Sequence, residues 1–238
     1  MDAKAEAAIV AKRAAGYKAA DMIKDGMIVG LGTGSTVYYM IERLAERIQK
    51  EHLAVQGVPT SFQTAMRARE SEIPLTTLDD HPVIDIAIDG ADEVDPAFRL
   101  IKGRGAAHLR EKCVAAAARE FIVVVDETKI VKKLGTAVPV EVLPFAITPV
   151  MLQLQKLGCE PVIREAVKKD GPVVTDNGNF IVDCTFGRID NPGNLEAAIA
   201  AIPGVVESGL FTRYPGKTTV IIGGMKKCTV KKSPDVVA

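Results

Sequence analysis

Lys102 and Glu111 bracket the segment "IKGRGAAHLREK": the lysine precedes a glycine-flanked turn, and the glutamate lies nine positions on, in the helix that the turn opens. A cation and a carboxylate so placed can meet one ligand from two sides. The pairing suits proton transfer beside a carbonyl, where the carboxylate removes a carbon-bound proton while the cation and backbone N–H groups stabilise the enediolate oxygen. Taken alone, the two residues equally fit surface charges on an amphipathic helix. Two further loops add chemistry. "IVGLGTGST", residues 28–36, sets glycines at alternate positions between an apolar run and a helical segment. A dinucleotide fingerprint needs a third glycine where this chain has Ser35. What remains is a loop of N–H groups with the Thr33, Ser35 and Thr36 hydroxyls around Gly34, a recipe for holding one phosphate at a helix N-terminus. The plainer alternative is a glycine-rich strand-to-helix turn with an ordinary N-cap. "IDGADEVD" places Asp89, Asp92, Glu93 and Asp95 just beyond an apolar run. Such carboxylates can hold Mg²⁺, form a solvated acidic turn, or accept hydrogen bonds from sugar hydroxyls, with Gly90 letting the backbone come close. The third reading is the favoured one.

The elements that must position these loops follow from periodicity. Residues 5–24 carry apolar positions at helical spacing, and "MIVGLG" then switches to a short buried strand. A helix around 35–50, "LAVQGVP", a helical "TAMRARE" and the strand "VIDIAIDG" continue an alternating α/β plan. "AAHLREKCVAAAARE" reads as a helix and "FIVVVD" as a further apolar strand of a doubly wound parallel sheet. The chemically interesting loops all fall at strand C-terminal ends, where open α/β sheets place ligands. After about residue 130 the pattern changes to an antiparallel α+β unit with Asn177-Gly178 as a two-residue hairpin turn. "TTVIIGG" is expected to return to the main sheet, and the basic tail "MKKCTVKKSPDVVA" to fray. The expected division is a catalytic domain of residues 1–131 plus about 206–238, and a smaller domain of about 132–205.

Composition excludes several classes. With 47% hydrophobic and 25% charged residues the chain is expected to be globular, and no apolar stretch approaches the ~20 residues of a membrane span. Thirty basic and thirty acidic residues cancel, which speaks against nucleic acid or an anionic membrane as partner and favours a small molecule. The N-terminal segment mixes both charges without an apolar signal core, so a cytoplasmic location is expected. Four scattered cysteines and three scattered histidines give neither a disulfide framework nor zinc spacing, and no metal is expected.

"GLGTGST", "DGADEVD", "IKGRGAAHLREK" and "VVDETK", in this order and with these intervals, resemble ribose-5-phosphate isomerase of the A type, as do "PVEVLP", "VVTDNGN" and "IPGVVESGLF". The similarity runs over nearly the whole chain. It implies interconversion of ribose 5-phosphate and ribulose 5-phosphate through a cis-enediolate, without metal or organic cofactor. Carried over by motif, Glu111 is the base, and Asp89 assists ring opening and, with Lys102, proton traffic at the substrate oxygens. Ligand contacts fall on Thr33, Gly34, Ser35 and Thr36, on Asp89, Gly90, Ala91 and Asp92, on Lys102, Gly103, Arg104 and Gly105, and on Lys129. The implied fold is a Rossmann-like α/β domain with an inserted ferredoxin-like lid, assembled as a homodimer or homotetramer.

The chain departs from that family in its glycine run, with Arg104 inside it and His108 in place of an apolar residue. A non-glycine residue resists positive φ by about 1 kcal/mol or more. Gly103 and Gly105 are therefore expected to take the unusual backbone angles and leave position 104 an ordinary one. Two rival readings differ in class. A non-catalytic phosphosugar sensor of related fold needs a DNA-binding module, whereas one helix precedes the first strand. A nicotinamide-dependent oxidoreductase needs the missing glycine and an acidic residue after the second strand, where the chain reads "AVQGVPT".

Overall fold

The computed structural model describes residues 3–225 and 227–233. Contacts divide the chain into two compact units, one of residues 1–91, 110–130 and 214–238 and the other of residues 92–109 and 131–213. The second unit thus takes in 92–109 and 206–213 as well as the stretch where the sequence pattern changes.

The first unit is built on six strands: β1 (Ile28–Leu31), β2 (Gln56–Pro59), β3 (Ile84–Asp89), β6 (Ala118–Asp126), β12 (Thr218–Gly223) and β13 (Thr229–Lys232). Their order is β13-β12-β6-β3-β1-β2, and all but β13 are parallel. The Val- and Ile-rich runs of β3 and β6 are buried because helices cover a parallel sheet on both faces. Helix α1 (Ala3–Ala20) is alanine-rich for a packing reason. Its Ala15, Ala19 and Ala20 share a core with Met40 and Leu44 of α2 (Ser35–Glu51), and a Cβ at Gly16 would lie 2.7 Å from the Thr36 carbonyl oxygen. Side chains this small let the two helices approach. Strand β1 has β2 on one side and β3 on the other, so the chain winds outward in both directions from it. That is the topological switch point at which such sheets bind ligands.

Two expectations are corrected in this unit. Residues 118–120, read as the end of a helix, begin β6, because Ala118 pairs with Ile84 and Glu120 with Ile86 in the parallel ladder. The tail does not simply fray, since Thr229–Lys232 pairs antiparallel with β12. Lys226 and residues 234–238 of that tail lie outside the described residues.

The second unit runs β7 (Val138–Val142), α5 (Ile147–Lys156), β8 (Glu160–Ile163), β9 (Phe180–Thr185), α6 (Pro192–Ala200), β10 (Val205–Ser208). The antiparallel order β10-β7-β9-β8 makes this the βαββαβ arrangement of a ferredoxin-like unit. Val138, Val140 and Val142 face its core, and Glu141 faces the other way. Glu141 is fully buried, and its Oε1 accepts hydrogen bonds from Thr175 Oγ1 (2.8 Å), Asn177 Nδ2 (3.0 Å) and Asn179 Nδ2 (2.8 Å). The turn residues in "VVTDNGN" therefore hold a buried carboxylate. The turn itself differs from the expected two-residue type. Gly178 is left-handed (φ +80°) and Asn177 is not, and the bonds Gly178 N–H to Thr175 O and Thr175 N–H to Asn179 O close a longer hairpin. A small sheet of β4 (Glu93–Val94), β5 (Leu100–Ile101) and β11 (Leu210–Phe211) completes the unit and explains why 92–109 belongs to it.

Candidate active site

The three motif glycines at the end of β1 have three separate causes. A Cβ on Gly30 would come within 2.4 Å of Val114 Cγ1, so this glycine seats helix α4 (His108–Ala117) on the sheet. A Cβ on Gly32 would fall 2.3 Å from Asp89 Cγ, so Gly32 makes room for the carboxylate that ends β3. Gly34 takes φ +131° as the residue before α2. Helix α2 has no side-chain cap and no acidic residue in its first turn. The N–H groups of a helix start lack intrahelical partners and carry the positive end of the dipole, so this start suits an anion. Gly34 and Ser35 are exposed there and Thr36 is buried. The Thr33 hydroxyl points into a network of protein hydroxyls, 2.8 Å from both Thr60 Oγ1 and Ser61 Oγ and 3.2 Å from Thr64 Oγ1. Thr64 in turn donates to the Gly32 carbonyl oxygen at 2.7 Å. These three hydroxyls lie where β2 hands over to α3 (Phe62–Glu70), and "TSFQT" carries their only sequence signal, an N-cap pattern with Ser61 accepting from Thr64 N–H.

The acidic segment resolves into four carboxylates with different tasks. Asp89 Oδ1 accepts the N–H of Thr33 (3.1 Å) and of Gly90 (2.7 Å), which joins the ends of β3 and β1. Asp92 Oδ2 accepts the Arg104 N–H at 3.0 Å. Glu93 Oε2 accepts the N–H of Gly135 at 2.7 Å, and Asp95 pairs with Arg99 and caps its own turn at Ala97. Glu93 and Asp95 are thus structural. Gly90 and Ala91 are half-buried between Asp89 and Asp92.

Lys102 is buried, with Nζ 5.5 Å from the centroid of the Phe211 ring. Its N–H donates to the Gly209 carbonyl oxygen (2.9 Å), and a Cβ on Gly209 would sit 2.1 Å from the Lys102 carbonyl oxygen. Gly209, unnoticed in "ESGLF", is the residue that lets β11 close on the lysine. Gly103 takes φ +107° and packs under the His108 ring, where a Cβ would be 2.7 Å from Nδ1. Arg104 and Gly105 are exposed, and neither has positive φ. The second left-handed residue of the loop is Ala106 (φ +58°), not Gly105 as expected. Position 104 is indeed ordinary. His108 is fully buried, with Nε2 3.3 Å from the Glu207 carbonyl oxygen.

Glu111 stands buried in the first turn of α4, where the helix dipole suits an acidic side chain. It precedes Val114 by three residues and so shares the helix face that Gly30 receives. The far end of α4 is closed by Lys217, whose Nζ donates to the carbonyl oxygens of Ala116 (2.9 Å) and Ala118 (2.6 Å). Burial lowers the Lys217 pKa. Lys129 is half-buried in a short 3-10 turn after β6, with Asp126 capping that turn. Within the first unit the structure brings the 33–36 loop to Asp89, and within the second it brings Asp92 to Arg104. The loop after Lys102 runs directly into the helix of Glu111.

A parallel sheet with an open helix start and a carboxylate at its switch point is the build of an α/β enzyme of the Rossmann-like class. The family model for ribose 5-phosphate isomerase A (phosphoriboisomerase A) matches residues 56–227. The ribose-5-phosphate isomerase A of Methanoregula boonei is 68% identical over 237 residues, 100% of both chains. That of Methanosarcina acetivorans is 56% identical over 200 residues, 84% of this chain and 86% of that one. Among solved structures, ribose 5-phosphate isomerase A from Methanocaldococcus jannaschii superposes with a TM-score of 0.89 at 48% identity, covering 93% of this chain and 97% of that chain. A D-ribose-5-phosphate isomerase in complex with phospho-erythronic acid gives the same TM-score of 0.89 at 44% identity, with 93% and 97% covered. The chain belongs to the ribose 5-phosphate isomerase A family.

Proposed function

We propose that this chain interconverts D-ribose 5-phosphate and D-ribulose 5-phosphate by proton transfer through a cis-enediolate, with Glu111 as the base. The observation that carries the reading is the relative bound to phospho-erythronic acid, which superposes over 93% of this chain. An aldonic acid phosphate joins a planar anionic carboxylate to a phosphate, and the carboxylate imitates the planar anionic enediolate of the reaction. The phosphate is assigned to the uncapped start of α2 at Gly34, Ser35 and Thr36, with Thr33 bracing the loop, and Lys129 supplies a further cation. Asp89 assists opening of the sugar ring. Glu111 takes the proton from C2 of the open aldose, and charge develops on the two oxygens. The Lys102 ammonium and a backbone N–H of the Gly103–Gly105 loop stabilise that charge. Asp89 and Lys102 carry the hydroxyl protons, and Glu111 returns its proton to C1. The hydroxyls of the sugar fall to the Asp89–Asp92 segment. No metal or organic cofactor has a role in this scheme.

The same reading takes a homodimer or homotetramer and a cytoplasmic location. Phe145, 99% exposed in the second unit, supports association, and among the described residues no helix is long and apolar enough to cross a membrane. Ribose 5-phosphate added to the purified protein in excess EDTA should yield ribulose 5-phosphate by NMR. Binding of the sugar phosphate without turnover would instead identify a non-catalytic sensor.

A further inference from the structure

We propose that Arg164, braced by Asp183, is a positioning residue that aims the backbone donors of the loop after Lys102. The proposal rests on the reading above that this loop meets the substrate. Arg164 follows β8 and Asp183 lies in β9, on the sheet face opposite the one where Val182 and Cys184 enter the core. Nε of Arg164 donates to Asp183 Oδ2 at 2.8 Å, and Nη2 donates to Oδ1 of the same carboxylate. This forked pair fixes the plane of the guanidinium. The remaining nitrogen, Nη1, donates to two consecutive carbonyl oxygens, those of Gly103 and Arg104, each at 3.0 Å.

Arg164 is 17% exposed in its side chain, whereas Arg104 and Gly105, whose turn it holds, are exposed. A half-buried guanidinium bonded to an exposed turn adds little to the core of the unit, but it decides how that turn presents its peptides. In a planar trans peptide the C=O and N–H point in opposite directions. Drawing the carbonyls of residues 103 and 104 onto the guanidinium therefore turns the N–H groups of residues 104 and 105 to the far side. The first of these is found there, donating to Asp92 Oδ2 at 3.0 Å. The 103–104 peptide is thus gripped at both ends, by Arg164 and by Asp92. Among the described residues the 104–105 peptide is gripped at its oxygen alone, which leaves the Gly105 N–H as the donor that the guanidinium aims. A charged donor on each carbonyl also polarises the peptide and strengthens its N–H.

The test compares Arg164→Ala, Arg164→Lys and Asp183→Asn with the parent and with Glu111→Gln, in the full chain, by kcat/KM for ribose 5-phosphate and by thermal unfolding. Misplacing a catalytic contact by about 1 Å can cost on the order of 100-fold, so Arg164→Ala should lose about 10- to 100-fold. Arg164→Lys, which lacks the fork, should recover only part of it. Free guanidinium at tens of millimolar, against equal NaCl, should restore activity to Arg164→Ala and not to Glu111→Gln, a response that a merely structural role would not give. If Arg164→Ala fails to fold, the other two variants decide: Asp183→Asn and Arg164→Lys should each lose several-fold at unchanged melting temperature. Parental kcat/KM in these variants beside an inactive Glu111→Gln overturns the proposal and leaves the active-site reading intact, as does a loss in Arg164→Ala that guanidinium does not relieve. Parental turnover by Glu111→Gln overturns the active-site reading itself.

Discussion

At residues 32–36 the chain holds its loop with neighbours at the ends of adjacent strands, while at 103–107 it holds a loop with side chains distant in sequence. In the first, Gly32 yields space to Asp89, the Asp89 carboxylate ties back to the Thr33 N–H, and hydroxyls at the end of β2 surround the Thr33 side chain. In the second, Arg164 and Asp92 grip the Gly103–Arg104 peptide and His108 lies on Gly103. The first loop is fixed wherever the parallel sheet forms, because β1 and β3 pair directly. The second depends on a guanidinium 60 positions away and on the glycine-permitted closeness of β11 at Gly209. Substitutions should therefore act differently on the two, through sheet packing in one and through loop aim in the other.

The largest effect is expected at the proposed base. Glu111→Gln is nearly isosteric and should leave folding and KM close to the parent while lowering kcat by roughly 10²–10⁴. Steady-state kinetics check this, and parental kcat would remove Glu111 from the chemistry. Lys102→Ala should lower kcat by about 10²–10³, the range for one oxyanion donor. A change confined to KM would place Lys102 in uniform substrate binding.

Paired glycine variants separate the two loops. Gly32→Ala should push Asp89 off its seat, destabilise the protein by about 1–3 kcal/mol and reduce kcat/KM, as measured by thermal unfolding and kinetics. Gly105→Ala should leave the thermal stability unchanged, because Gly105 lacks positive φ and a Cβ there meets nothing within 4 Å. The smallest effect is expected for Arg104→Gly. Its side chain is exposed, and an exposed charge acting on the substrate phosphate is worth ~1 kcal/mol or less and is screened by salt. Its kcat should stay within about fivefold of the parent, with a small rise in KM that shrinks at high ionic strength. A loss like that of Glu111→Gln would place Arg104 in the reaction.

Legibility in the sequence follows the same division. The glycine loop after β1, the buried strands and Asp89 could be read directly, because a parallel strand is a continuous apolar run and its ligand loop follows at once. The Lys102 to Glu111 spacing was legible for the same reason of proximity. The supports of the second loop were not. Arg164 reads as one charge in "EPVIREA", and nothing in a linear pattern reveals that its fork reaches the carbonyls of residues 103 and 104. Gly105 drew attention as a glycine, yet Ala106 takes the left-handed angle, because local composition does not decide which residue of a turn bears the strain. The smaller unit was visible as a change of pattern near residue 130. Its share of residues 92–109 was hidden, since two-residue strands such as β4 and β5 leave no periodic trace.

In the proposed reaction Glu111 moves a proton between carbons through an enediolate. Ribose 5-phosphate carrying deuterium at C2 can be converted by the purified protein in ordinary water, with the label followed by NMR. Slower turnover of the labelled sugar and loss of deuterium to solvent are expected, with turnover and exchange both lowered by roughly 10²–10⁴ in Glu111→Gln. Complete retention of the label at C1 of the ketose, or exchange that persists at the parental rate in Glu111→Gln, would rule out proton transfer by Glu111 through an enediolate open to solvent.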